Sequence, residues 1–127
     1  MKIQKTIMRK IETRMNQAIR RRNNFSSGNT MVKTGSFFSN DVYCEESKVF
    51  LHGNHIATYD HINQELSLFD GGWQSNTTKS RLNALCNEFA TGFSVFQKNW
   101  NWFVGDFQNK TIKDFTDGIT VNYNGCF

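Results

Sequence analysis

Membrane passage is the first thing the sequence leaves out. Its apolar runs fall well short of the roughly 18–20 residues that a spanning helix needs. The opening MKIQKTIMRKIE lacks the apolar stretch and small-residue cleavage site of a signal peptide, so no secretory leader is expected. Cysteine is scarce and odd in number. Cys44, Cys86 and Cys126 lie too far apart for a zinc spacing and cannot pair off into a disulfide framework. A reduced, cytosolic setting follows, with Cys44 and Cys86 read as small core residues. Proline is absent altogether, and nothing else in the sequence gives that absence a physical reason.

Catalytic signatures are missing as well. His52 and His55 point to opposite faces of any strand, and neither an HExxH pattern nor a cysteine pair accompanies them or His61, so no metal is expected. No Ser/His/Asp or Cys/His set can be picked out. Asp41, Glu45, Glu46, Asp60 and Asp70 fall mostly at expected turns and strand ends, where solvated carboxylates are ordinary. These absences point to a protein without cofactor or enzymatic activity.

What is present is aromatic and segregated in charge. The 127 residues suit one domain, and 12 Phe with 3 Trp make aromatics the main core material. The net charge of +4 divides unevenly: residues 1–24 hold eight of the 15 Lys/Arg and one of the 11 acids, a balance of +7 against −3 for the rest.

The spacing of Ile3, Ile7, Ile11, Met15 and Ile19 predicts an amphipathic helix over about residues 2–22, with basic residues on its other faces. Residues 25–40 read as a Gly/Ser-containing connection whose middle, TMVK, can pair with a sheet. Residues 41–127 read as a single α+β domain. Strand patterns in DVYCE, KVFLHGNHIATYD and ELSLFD form a meander, with connections at EES and HINQ and a bulge or turn at Gly53. Val49, Leu51, Ile56 and Thr58 then share one side. A second helix over about residues 78–90 buries Leu82, Leu85, Cys86 and Phe89. A hairpin around residues 97–99 and a last strand over residues 119–123 complete one antiparallel sheet packed by one or two helices.

Three constellations bear on function. In GGWQSNTTKSRLNALC, Asn76, Thr77 and Thr78 are of the type that caps helices, with Trp73 packing on the first turn. Capping leaves Lys79 and Arg81 unexplained, because cations oppose the dipole there. Thr77, Thr78, Lys79 and Arg81 are therefore a candidate anion site, though not a P-loop, since GxxxxGK[ST] is absent. The N-terminal helix offers Lys2, Lys5, Arg9, Lys10, Arg14, Arg20, Arg21 and Arg22 to nucleic acid or an acidic partner surface. Its apolar face has no Trp or Phe before Phe25, which speaks against a membrane surface. The third is the aromatic run Phe89, Phe93, Phe96, Trp100, Trp102, Phe103 and Phe107. Trp100 and Trp102 share one strand face there, and either core packing or base stacking accounts for such residues.

The stretch VFLHGNHIATYDHINQELSLFDGGWQSNTTKSRLNALC, followed by SVFQKNWNWFVG, resembles a family of small proteins of tailed bacteriophages. The matching positions include Gly53, Asn54, Ile56, Ala57, Gly72, Trp73, Thr77, Thr78, Lys79, Arg81, Leu82, Asn83, Leu85, Gln97, Lys98 and Trp102. The resemblance spans about residues 49–104 and leaves the N-terminal helix outside, as an addition of this chain. It implies a small accessory or host-takeover protein acting in the cytoplasm of the infected bacterium. The expected partner is nucleic acid or a host nucleoprotein complex. The alternative is a host protein target: an inhibitor of a defence or transcription complex, for example an anti-CRISPR protein, with Asp41, Glu45 and Glu46 mimicking phosphates. Self-association is a further candidate.

Overall fold

The structure is a computed structural model and describes residues 9–122. Helix α1 (Lys10–Arg20) is followed by β1 (Phe25–Ser27), β2 (Thr30–Ser39), β3 (Val42–Leu51), β4 (Asn54–Asp60) and β5 (Glu65–Leu68). Helix α2 (Asn76–Phe89) then leads to β6 (Phe93–Lys98), β7 (Asn101–Asp106), β8 (Thr111–Asp114) and β9 (Ile119–Asn122). This is the expected α+β class, but with two antiparallel sheets in place of one. Six strands run β1-β2-β3-β4-β5-β9 and three run β6-β7-β8.

α1 buries its apolar stripe against the larger sheet, and α2 packs on both sheets, against β4 and β5 of the larger and β6 of the smaller. Met15 and Ile19 of α1 are fully buried, as are Leu82, Leu85 and Cys86 of α2, and they share one cluster with Val32, Val49, Leu66 and Val121. Each fully buried aliphatic side chain contributes roughly 1.5–3 kcal/mol. α1 ends in a Schellman motif: the Asn23 amide donates to the Ala18 carbonyl at 2.9 Å and the Arg22 amide to Ile19 at 3.1 Å. Arg22 takes the left-handed conformation there, at φ 55°. The expected residues 2–9 of this helix fall outside the described residues except Arg9, which is extended and precedes the first turn.

Several expectations are corrected. TMVK in residues 25–40 pairs with the sheet as expected, but the strands reach well beyond it: Phe25 begins β1, and β2 continues to Ser39 because all ten of its residues pair in register with β3. EES is not a hairpin loop but the middle of β3, where Ser47 is buried and hydrogen-bonds Thr34 at 2.7 Å. The reversal comes earlier, at Asn40 and Asp41, both at positive φ. His52 and Gly53 form the next tight turn, as expected near Gly53, while the register shift lies between Val49 and Phe50. That shift pairs Val49 with Ala57, so Ala57 is buried with Ile56 and Thr58 is only half-buried.

One turn chemistry occurs twice. In DHINQ, Asp60 accepts the amides of Ile62 and Asn63 and the Asn63 side chain, and Gln64 takes φ 54°. In DFQNK, Asp106 accepts the amides of Gln108 and Asn109 and the Asn109 side chain, and Lys110 takes φ 54°. The first loop joins β4 to β5 at the expected HINQ. The second joins β7 to β8, a strand that periodicity missed because it is short and wholly exposed. The β6–β7 hairpin turns at Asn99 and Trp100, both at positive φ, one residue beyond the expected place. Trp100 and Trp102 therefore do not share a face: Trp100 is 89% exposed in the turn, and Trp102 is buried at 5%. Cys44 is half-buried rather than in the core, and Tyr123 and Cys126 lie outside the described residues.

Candidate functional site

The four residues read as an anion site do not converge. The N-cap of α2 is Ser75, whose hydroxyl accepts the Thr78 amide at 3.1 Å, so Asn76, Thr77 and Thr78 lie inside the helix. The Thr78 hydroxyl is used locally, against Ser75 Oγ at 2.9 Å and the Trp73 carbonyl at 3.3 Å. Arg81 turns inward and is 3% exposed. Its Nη1 donates to Glu12 Oε2 at 2.7 Å, its Nε to Thr30 Oγ1 at 3.0 Å and its Nη2 to Asn29 Oδ1 at 3.2 Å. Lys79 is left half-buried near the positive end of the helix without that companion. Trp73 is 75% exposed and does not staple the first turn. It rims a cavity of about 380 Å³ floored by Leu51 and Ile56, with Asp70 and Asn54 at the wall. Gly71 closes that wall at φ 71°, where a Cβ would come within 3.1 Å of Ile56 Cγ2.

The acids and aromatics are also largely engaged. Glu45 pairs with Arg22 at 2.8 Å and Glu46 with Lys48 at 3.6 Å, which leaves the expected phosphate-mimicking patch largely neutralised. Phe89 and Phe93 are core, Phe96 and Phe103 stack on each other half-buried, and Phe107 is 60% exposed.

The exposed side of α1 is different. Glu12 is the one acid of residues 1–24, and it is 1% exposed. Burial pushes its carboxyl up, but hydrogen bonds from Ser80, the Arg9 amide and Arg81, together with the charge of Arg81, hold it below the usual carboxylate range. With that carboxylate inside, the outward face carries cations, the Gln17 amide and the Thr13 hydroxyl, and no acid. Lys10, Arg14, Gln17 and Arg21 follow at spacings of four, three and four, one exposed stripe about 16 Å long at 1.5 Å per residue. Arg20 and Arg22 flank it but are held by Glu88 at 2.7 Å and Glu45 at 2.8 Å. The Arg14 guanidinium lies 5.4 Å from the centre of the Phe25 ring. Beside it runs a groove of about 200 Å³ lined by Arg14, Gln17, Arg21, Asn23, Asn24 and Phe25. Lys2 and Lys5 lie outside the described residues.

The Kyanoviridae Gp96 protein family matches the chain over residues 8–122. The chain belongs to that family. It is thus a cyanophage protein, in agreement with the bacteriophage resemblance. The Gp96 match is longer than residues 49–104 and takes in α1, so this helix belongs to the family's fold rather than being an addition of this chain. No curated protein and no solved structure is similar to it. Among the described residues of this Gp96 chain no helix is long and apolar enough to cross a membrane, and no three His, Cys, Asp or Glu side chains gather as metal ligands.

Proposed function

We propose that this Gp96-family protein is a non-enzymatic accessory protein that binds nucleic acid, alone or within a host nucleoprotein complex, in the cytoplasm of the infected bacterium. The observation that carries this reading is the sorting of charge on α1. Its acid is turned inward onto Arg81, and Lys10, Arg14 and Arg21 line its outward face beside Phe25 and two asparagines. Such a stripe meets phosphates through its cations and sugars or base edges through its amides. The rigid seating of α1 on the core fixes the spacing of those cations before any partner arrives.

The test is a salt titration of oligonucleotide binding, by fluorescence anisotropy, on double- and single-stranded probes. Three phosphate contacts give a slope of log K against log salt of about −2 to −3. The triple variant K10E/R14E/R21E should lose binding and flatten that slope. Binding unchanged in this variant sinks the reading. A stoichiometric host protein complex that survives nuclease would replace it with the inhibitor reading, in which the same stripe meets an acidic protein surface.

A further inference from the structure

We propose that the cavity rimmed by Trp73 binds a guanine base, presented by a free nucleotide or by a single strand. Its floor is Leu51 and Ile56, both buried, so the body of the occupant is apolar. At about 380 Å³ it lies near the lower end of small-molecule sites, which suits a compact ligand rather than an extended chain.

Trp73 points to a planar occupant. Its backbone is held on both sides: the amide donates to the Asp70 carbonyl at 3.3 Å, and the carbonyl accepts the Ser75 amide at 3.1 Å. The indole itself is largely exposed, with no stacked ring and no hydrogen bond among the described residues. A fixed, uncovered indole at the mouth of an apolar cavity presents a stacking face to a flat ring.

The polar wall selects which ring. Asp70 is the one carboxylate of the lining, which among the described residues holds no Lys or Arg, so the enclosed part of the ligand is not a phosphate. The hydroxyls of Ser75 and Thr78 are engaged with each other, the Thr78 amide and the Trp73 carbonyl. Asp70 Oδ1 accepts the Gly72 amide at 2.7 Å, and Oδ2 accepts Gln74 Nε2 at 3.4 Å. A carboxylate accepts about four hydrogen bonds, so each oxygen keeps room for one more. Guanine alone among the bases carries two adjacent donors, N1–H and N2–H, which match a carboxylate as a guanidinium does. Adenine and cytosine set a ring-nitrogen acceptor beside the amino group, and uracil flanks its N–H with carbonyls. Each of these turns an acceptor toward Asp70. An arginine side chain has the twin donors but no ring system to cover Leu51 and Ile56.

Isothermal titration of the full chain should show guanosine monophosphate binding about tenfold or more tighter than the adenosine and cytidine monophosphates. Trp73→Ala should weaken that binding about tenfold. Asp70→Asn keeps an acceptor for the Gly72 amide and should abolish the preference for guanine. Both variants should keep the parent circular dichroism spectrum. None of the lining belongs to α1, so K10E/R14E/R21E should bind guanosine monophosphate as the parent does, whatever becomes of its oligonucleotide binding. A thymidine oligonucleotide with one central guanine, set against one without, separates the sources. Tighter binding of the first assigns the base to a strand, and no gain beside clear mononucleotide binding assigns it to a free nucleotide. Equal affinity for the guanosine and adenosine monophosphates overturns the proposal, as does no binding of either guanine probe at millimolar concentration. So does a Trp73→Ala or Asp70→Asn variant that keeps both affinity and preference, or loss of mononucleotide binding in K10E/R14E/R21E. Acetylarginine amide binding more tightly than guanosine monophosphate also overturns it, and would give the cavity to an arginine of a protein partner.

Discussion

Arg81 Nη1 sits 2.7 Å from Glu12 Oε2, across 69 residues of sequence, and both side chains are almost wholly buried. The pair joins α1 to α2 beneath the exposed surface, with Ser80, Thr30 and Asn29 completing the hydrogen bonds. Two functional readings turn on it. The guanidinium that looked available to an anion is already neutralised by a carboxylate of the same chain. The carboxylate that would have interrupted the basic face of α1 is withdrawn from it.

Breaking this pair from one side should be costly. Arg81→Ala leaves Glu12 charged and buried, with an expected loss of about 3–5 kcal/mol in denaturant unfolding. The double variant E12Q/R81M removes both charges with little change of volume and should recover much of that loss. A single variant within about 1 kcal/mol of the parent would mean that water reaches the site and that the pair is not sealed.

Acid should weaken the fold in two steps, both of the same sign. Burial, with help from Arg22, pushes His61 below the usual imidazole range, against the pull of Glu45 and Asp60. A lowered folded pKa means the unfolded chain takes up protons first. His61 therefore contributes stability above about pH 6.5 that is lost as pH falls toward its folded value. Glu12, lowered from 4.5, contributes stability above that pH and loses it in more acid solution. Midpoint denaturant concentrations measured from pH 8 to pH 3 should show both declines. His61→Gln, which keeps a hydrogen-bonding partner for Ser47 at the position now 2.8 Å away, should reduce the upper one, and His55, also lowered by burial, supplies the remainder.

Periodicity made the cores of both helices legible. Met15 and Ile19, and Leu82, Leu85, Cys86 and Phe89, all lie where a 3.6-residue repeat puts them. The meander was legible for the same kind of reason. What escaped was set by partners distant in sequence. Nothing local says that Arg81 finds Glu12, and residues 34–39 become strand because β3 supplies the other half of each pair. Trp100 was misplaced because two non-glycine residues take left-handed conformations in that turn. The strand β8 did leave a sign: DFQNK repeats the Asp-x-x-Asn turn of DHINQ, and a turn of that kind implies a strand on either side.

Thiol chemistry should separate the cysteines. Burial pushes the Cys86 thiol up to about 12, and the side chain is fully enclosed, so alkylation at neutral pH should require unfolding. Cys44 is half-buried on β3 and should react in the folded protein. Peptide mapping after iodoacetamide treatment, with and without denaturant, reads both. Modification of Cys86 in the native protein would show that the α2 face opens far more readily than its packing indicates.

The three consecutive arginines after α1 should not behave alike. Arg20 bonds both the carboxylate and the backbone carbonyl of Glu88 and lies over the Phe89 ring, and Arg22 holds Glu45. Reversing either charge places two acids together and should lower stability, by up to about 1 kcal/mol at such exposed sites. Arg21 has no acid within ion-pair reach among the described residues, so Arg21→Gln, which puts no negative charge at the C-terminus of α1, should leave the unfolding midpoint nearly unchanged. Its effect should appear in binding, as a drop in affinity and a loss of about 0.9 from the salt slope on duplex DNA. Measuring stability and binding on each single variant separates the two roles. If Arg21→Gln unfolds the protein while Arg20→Glu alone weakens binding, the division of α1 into a structural flank and a binding stripe is wrong.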